Sequence, residues 1–415
     1  MTPKGWEVAS LNDCVLPNAP ICYGILMPGQ HCAGGVPVVK VRDIFDGRID
    51  ESDLLFTHPS IDGAYKRSRL AAGDLLITIR GTTGRVAFTP STLAGANITQ
   101  DTARIRVKGG TSSDFVYFAL QSEQAQQQIA LHTIGQAVKG INIRDVRRLT
   151  FPIPKKEDEQ RAIARALSDV DAVLAGLDRL IAKKRDLKQA AMQQLLTGQT
   201  RMPGFTGKWK VMSLGELFEF SGGYAASRDE LSSEGHRYLH YGDIHGSSKT
   251  SIDTTLDAQD IPRLDVSLKQ VSPDSLLHHG DVVFVDASED DEGTTKHVVV
   301  SNQEGHPFIA GLHTIVAKPR TADLTHEYRH YCFQTEAVRK QFLFYAVGTK
   351  VSGISKTNIA KVFLPIPSTN EQVEIASMLT DMESELAALH SRRDKTRALK
   401  QAMMQELLTG RIRLI

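Results

Sequence analysis

The chain states one sentence twice. "LKQAAMQQLLTG" runs from Leu187 to Gly198 and "LKQAMMQELLTG" from Leu399 to Gly410, with ten of twelve letters shared at an offset of 212. Upstream, Pro152, Pro154, Glu159, Gln160, Leu167 and Asp169 meet Pro365, Pro367, Glu371, Gln372, Leu379 and Asp381. One extra residue in the first copy makes the offset 213 before it and 212 after it. Further matches join "GQAVKGIN" (from Gly135) to "GTKVSGIS" (from Gly348), and "GWEVASL" (from Gly5) to "KWKVMSL" (from Lys208). A fold for this chain must therefore be built twice. Two units of this length form a tandem pair and not a solenoid.

Each half ends in a regular segment. Ile163, Leu167, Val170, Leu174, Leu177 and Ile181 are spaced 4, 3, 4, 3, 4, and Ile375, Leu379, Met382, Leu386 and Leu389 repeat 4, 3, 4, 3. These are heptad a and d positions. Leu187, Ala191 and Leu195 resume the stripe after a polar break, as do Leu399, Met403 and Leu407. Prolines upstream oppose helix, the acidic run Glu157, Asp158, Glu159 suits a helix start, and Gly198 and Gly410 stand where a glycine cap belongs. The spacing predicts two helices of about 40 residues, ~60 Å each. They are too long for one small domain to cover, so they are expected to pack antiparallel on each other. The plainer alternative is a homo-oligomeric coiled coil. Because the tail runs back into the head of the repeat, the termini are expected to be neighbours, with a pseudo-twofold relating the halves.

Before each regular segment lies a globular part. Short β-like runs ("VPVVKV", "DLLITI", "ARIRV") precede one helix-like stretch, Ser113 to His132, and residues 205–362 repeat the order, ending in the stretch from His326 to Ala346. The expected class is α+β: two mixed α/β domains (1–150 and 201–362) separated by long antiparallel coiled-coil helices (151–200 and 363–415), with a pseudo-twofold internal repeat.

At 415 residues the chain suits two to four domains. No apolar run reaches membrane-spanning length, the N-terminus lacks an apolar leader, and Cys14, Cys22, Cys32 and Cys332 form no CxxC pair. A reducing cytoplasm is the simplest setting. The net charge of +1 excludes a uniformly basic surface, so any nucleic-acid contact must be local. "YKRSR" offers Tyr65, Lys66, Arg67 and Arg69, and "IRGTTGR" offers Arg80, Thr82, Thr83 and Arg85. Such loops reach phosphates and, through arginine, guanine edges. Lys139 and Lys350 sit in the matched glycine-rich loops, and Lys249 and Lys296 are further candidates in the second half. For each of these residues the plain alternative is a solvated surface charge.

"HEYRH", His326 to His330, matches the zinc-protease pattern. The repeat argues against a metal there, since Ser113, Asp114 and Tyr117 occupy the matched positions. Nothing forms a phosphate-binding glycine loop, a nucleophile triad or a methyltransferase site, so no catalysis and no cofactor are expected of this chain.

Two globular halves, each followed by P-x-P, Glu-Gln and a long helix ending in LLTG, resemble the specificity subunit of a type I restriction–modification system over essentially the full length. The resemblance implies that each globular half reads one half of a bipartite, asymmetric site on double-stranded DNA, with half-sites ~34 Å apart. It implies that the helices form a spacer docking two modification methyltransferase subunits, which carry S-adenosylmethionine and flip an adenine to methylate it. Two restriction subunits using ATP and Mg would complete a nuclease; a methylation-only system is a close variant. The docking and spacer positions are then Pro154, Glu159, Gln160, Ile163, Leu167, Leu174, Leu187 and Leu195, with Pro367, Glu371, Gln372, Ile375, Leu379, Leu386, Leu399 and Leu407. One departure stands out: the second half replaces the basic loop by "DASEDDEGTTK", Asp286 to Lys296, with five carboxylates. A scaffold that binds no DNA, and a metalloenzyme using His326 and His330, remain as other classes.

Overall fold

The computed structural model describes residues 3–45, 47–136, 139–247, 249–288, 293–348 and 351–414. Two compact units emerge that do not follow chain order. One combines the chain up to Arg179 with the chain from His390; the other runs from Leu180 to Leu389. Each long helix, Glu157–Leu195 and Thr369–Leu407, therefore serves both units.

In the first unit a strand, Trp6–Ser10, pairs antiparallel with Thr150–Pro154, so the P-x-P segment is strand before it becomes helix. The main sheet is ordered Cys22–Tyr23, Thr102–Ile105, Leu75–Thr78, Val86–Phe88. Leu75, Leu76 and Ile77 are all fully buried, because both faces of the strand are covered, and an uninterrupted apolar run follows from that. A smaller sheet joins Leu55–Thr57, Val36–Val39 and Asn97–Ile98. The expected single helix of Ser113 to His132 is two, Ser113–Gln121 and Glu123–His132. Ser122 breaks it by leaving the helical backbone and accepting the Ala125 N–H as an N-cap. The core gathers Leu11, Phe115 and Phe151 with Ile163 and Leu167 of the first long helix and Leu407 of the second.

The second unit repeats the plan. Lys210–Ser213 pairs with Phe363–Ile366. The main sheet is ordered Phe218–Gly222, Thr314–Pro319, Val282–Val285, His297–Ser301, Ser251–Asp253. Its helical stretch is likewise split, into His326–Cys332 and Glu336–Tyr345, with Thr335 as the cap at the break. Ile375, Leu379 and Leu195 enter this core.

Within each unit the long helices run antiparallel. In the first, Asp171 meets Lys400 (2.6 Å) and Asp178 meets Arg393 (3.8 Å). In the second, Lys184 meets Glu385 (2.7 Å) and Lys188 meets Glu383 (2.5 Å). Among the described residues no helix is long and apolar enough to cross a membrane.

Candidate nucleic-acid interface

The basic loop of the first unit is held by the glycine-rich loop about 60 residues further along the chain. Gly81 donates to the Lys139 carbonyl (2.9 Å) and Ile141 to the Ile79 carbonyl (2.9 Å), while Gly140 bridges both Arg80 and Ile134. Arg80, Thr82 and Lys139 are thereby gathered on one exposed rim. Arg80 reaches Gln100 at 3.4 Å. Below the rim, Thr78 Oγ1 donates to the Thr82 carbonyl (2.5 Å) and accepts the Arg85 N–H (3.0 Å), fixing the turn. The Thr83 hydroxyl lies 3.4 Å from that of Thr133, and Arg85 donates to the Ile44 carbonyl (3.0 Å).

The YKRSR segment splits by role. Lys66 and Arg67 are exposed and Tyr65 half-buried. Arg69 instead forms an ion pair with the buried carboxylate of Asp62, which also accepts from Asn97 (2.9 Å). Burial pulls Asp62 upward, but the hydrogen bonds from Arg69 and Asn97 outweigh it and hold the carboxyl below its ordinary value. Arg69 thus has a structural partner as well as an exposed face.

In the second unit the same frame carries different chemistry. Ala287–Ser288 pairs with Ser352–Gly353, and Val347 bridges Gly353 as Ile134 bridges Gly140. Lys249 is exposed but ion-paired to Asp257 (2.5 Å), which raises its pKa, and the half-buried Lys296 donates to the His245 carbonyl (2.6 Å). Lys350 lies outside the described residues, as do Glu289, Asp290, Asp291 and Glu292 of the acidic loop. Asp286 at its start faces His313 at 3.3 Å.

The HEYRH helix lines a histidine cluster. His326 stacks on His279 (ring centroids 4.3 Å) and meets His330 edge-on (5.2 Å). Burial pushes His326 down to about 4 and the fully enclosed His297 down to about 3, and both therefore stay neutral at pH 7. Glu327 points to solvent. Among the described residues no three His, Cys, Asp or Glu side chains are placed to hold a metal.

The Glu-Gln pairs lie inside the fold. Glu371 is fully buried; it accepts from Arg201 (2.6 and 2.7 Å) and from the Trp209 indole (3.0 Å). Glu159 accepts from Arg413 and from the Trp6 indole (3.2 Å), and Arg413 also donates to the Lys4 carbonyl (2.8 Å). The ends of the chain thus meet in the first unit, as the tail-to-head repeat implies. Gln160 accepts the Ser112 N–H (2.8 Å) and donates to the Pro154 carbonyl (2.8 Å); Gln372 does the same with Thr325 (2.9 Å) and Pro367 (3.0 Å). Sequence reasoning missed the tryptophans and arginines of these clamps. The signal was present: Trp6 and Trp209 align, and Arg201 and Arg413 each stand three residues after the capping glycine.

Of the spacer positions, Pro154, Ile163, Leu167, Leu195, Pro367, Ile375, Leu379 and Leu407 are also buried, and Leu174 and Leu386 are half-buried. Only Leu187 (47%) and Leu399 (56%) are exposed, beside Val173, Leu180, Val373 and Met378, which stand off the heptad stripe.

A family model described as the type I restriction modification DNA specificity domain matches residues 3–183 and again 206–396. The chain belongs to that family. The two matches coincide with the two repeats, and this specificity-family chain carries both. It is 26% identical to the EcoBI specificity subunit of Escherichia coli over 51% of its own length and 44% of that subunit's, less than half. It is 22% identical to the putative MjaX specificity subunit of Methanocaldococcus jannaschii over 99% of this chain and 94% of that one. In fold it is similar to the type I S subunit from M. genitalium (TM-score 0.54, 15% identity, covering 98% and 99% of the two chains). It is also similar to a chain from structural work on type I R-M assembly and conformational transition (TM-score 0.63, 19% identity, covering 99% and 100%).

Proposed function

We propose that this chain is the DNA-reading subunit of a type I restriction–modification assembly, and that it works in the cytoplasm without catalysing a reaction itself. Each globular part reads one half of a bipartite target. The long helices act as an antiparallel coiled-coil spacer with pseudo-twofold symmetry, and their exposed apolar residues, Leu187 and Leu399 among them, receive two modification methyltransferase subunits. Those subunits supply S-adenosylmethionine and methyl transfer to adenine. Restriction subunits using ATP and Mg extend the same assembly.

One observation carries this reading. Two DNA specificity domains share a frame yet carry different loops on it: Arg80, Thr82 and Lys139 on an exposed rim in the first, and in the second a half-buried Asp286 facing His313 at the start of the acidic DASEDDEGTTK sequence. A common frame with unlike loops is what reading two unlike half-sites requires, because direct readout depends on the donors and acceptors presented to the groove.

The test is to co-purify the chain with its modification subunit, add S-adenosylmethionine and a random duplex library, and map methylated adenines. A single bipartite motif with an unread gap is expected. A complex that forms but methylates no motif would leave only the scaffold reading.

A further inference from the structure

The loop sequences differ between the two units, but a paired apolar feature recurs in both. Leu131 and Ile134 are 81% and 67% exposed; Phe344 and Val347 are 80% and 75% exposed. The pairs stand 213 residues apart (131 to 344, 134 to 347), the offset that aligns the glycine-rich loops behind them. Each closes the second short helix of its unit, and each has its second member bridged to the glycine of the matched loop, Ile134 to Gly140 and Val347 to Gly353. Each pair sets two large apolar side chains three residues apart in water, and this paired arrangement recurs at matched positions in both units, whereas singly scattered exposed apolar residues are ordinary.

A feature kept in both halves meets something the same in both. That is not a base sequence, because the polar loops carried on the two frames differ in sequence. In the first unit the pair is continuous with a rim of complementary charge for a polyanion: Gly140 links Ile134 to Arg80, and Lys139 is exposed next to it. What every duplex site shares behind its phosphates is the apolar face of the base stack and sugars. Exposed Leu, Ile and Phe beside basic residues are the side chains that enter between base steps and unstack them.

Resting on the DNA-reading role above, we propose that Leu131/Ile134 and Phe344/Val347 are apolar wedges, one per globular part, that pack into the duplex and unstack one base step in each half-site without reading its sequence. The wedge would lower the cost of removing a base from the stack there, a cost any enzyme acting on a base must meet.

The test uses the full chain with its modification subunit and the mapped motif, with 2-aminopurine placed in turn through each half-site. Wild-type protein is expected to raise 2-aminopurine fluorescence at one step per half-site. Leu131→Ser/Ile134→Ser should abolish the rise in the first half-site only and weaken binding on the order of a hundredfold, the scale at which two aliphatic side chains lose their burial. The methylated motif should be unchanged. Leu131→Ile/Ile134→Val should restore the signal, and Phe344→Ser/Val347→Ser should do the same to the second half-site. Three results would overturn the inference while leaving DNA reading intact: unchanged fluorescence and affinity in the serine variants, a change of motif at a thymine, which would mean methyl-group reading, or failure of the variants to hold the modification subunit, which would mean a protein interface. If wild-type chain binds no duplex, the DNA reading falls and takes the wedge with it.

Discussion

At the scale of single residues, the best-defined chemistry serves the fold. Glu371 is buried against one guanidinium and one indole N–H. Burial pulls its pKa up, but those hydrogen bonds win and hold it low. Glu371→Ala strands the indole and guanidinium donors without an acceptor, and thermal unfolding should report about 1–3 kcal/mol of lost stability. Leu167→Ala, in the other core, should cost about 3 kcal/mol by the same measurement. His297 makes a pH prediction. Burial holds the folded imidazole neutral down to about pH 3, whereas the unfolded one takes a proton near 6.5. Stability is therefore full above pH 6.5 and falls as pH drops below it. Between pH 7 and 5 the wild-type chain should lose about 2 kcal/mol more than His297→Leu, read as the difference in their denaturation midpoints. Glu159, Gln160, Glu371 and Gln372 were legible as a motif but not as a buried one, because a Glu-Gln pair on a helix is ordinarily exposed. Only the tryptophan and arginine brought from elsewhere in the chain make the site hospitable to a carboxylate.

Among elements, the long helices were the most legible part. Both span 39 residues and end at glycines with φ of +72 and +73°. That conformation is costly for any residue with a Cβ. A Cβ on Gly410 would also stand 2.9 Å from the Trp6 ring. Gly410→Ala should therefore destabilise by about 1–2 kcal/mol in a melting experiment. The short helices before the glycine-rich loops were less legible. Periodicity carries through Ser122 and Thr335, so each pair reads as one helix. The break depends on a hydroxyl capping the next turn, a local competition that hydrophobic spacing does not register. Arg80 and Lys139 were named separately as candidates; their union on one rim comes from a bridge between strand end and loop.

For the molecule as a whole, tandem repetition predicts separable specificity. Replacing residues 1–150 by the corresponding part of another family member should change one half of the methylation motif and leave the other half intact, by sequencing of methylated DNA. Binding to random duplex should weaken steeply with added salt, through counterion release from the phosphates. The duplicated plan, the helices, their caps and the family likeness are properties of the sequence alone, because period, punctuation and repetition are local patterns that survive without coordinates. Tertiary structure decided what those patterns could not hold. It assigned each helix to two units, turned the Glu-Gln pairs into buried clamps, drew the tail of the chain onto its head through Arg413, and left matched apolar pairs in water beside unlike loops. Each of these depends on which distant residues share a buried volume, and burial is set by packing in space, not by order along the chain.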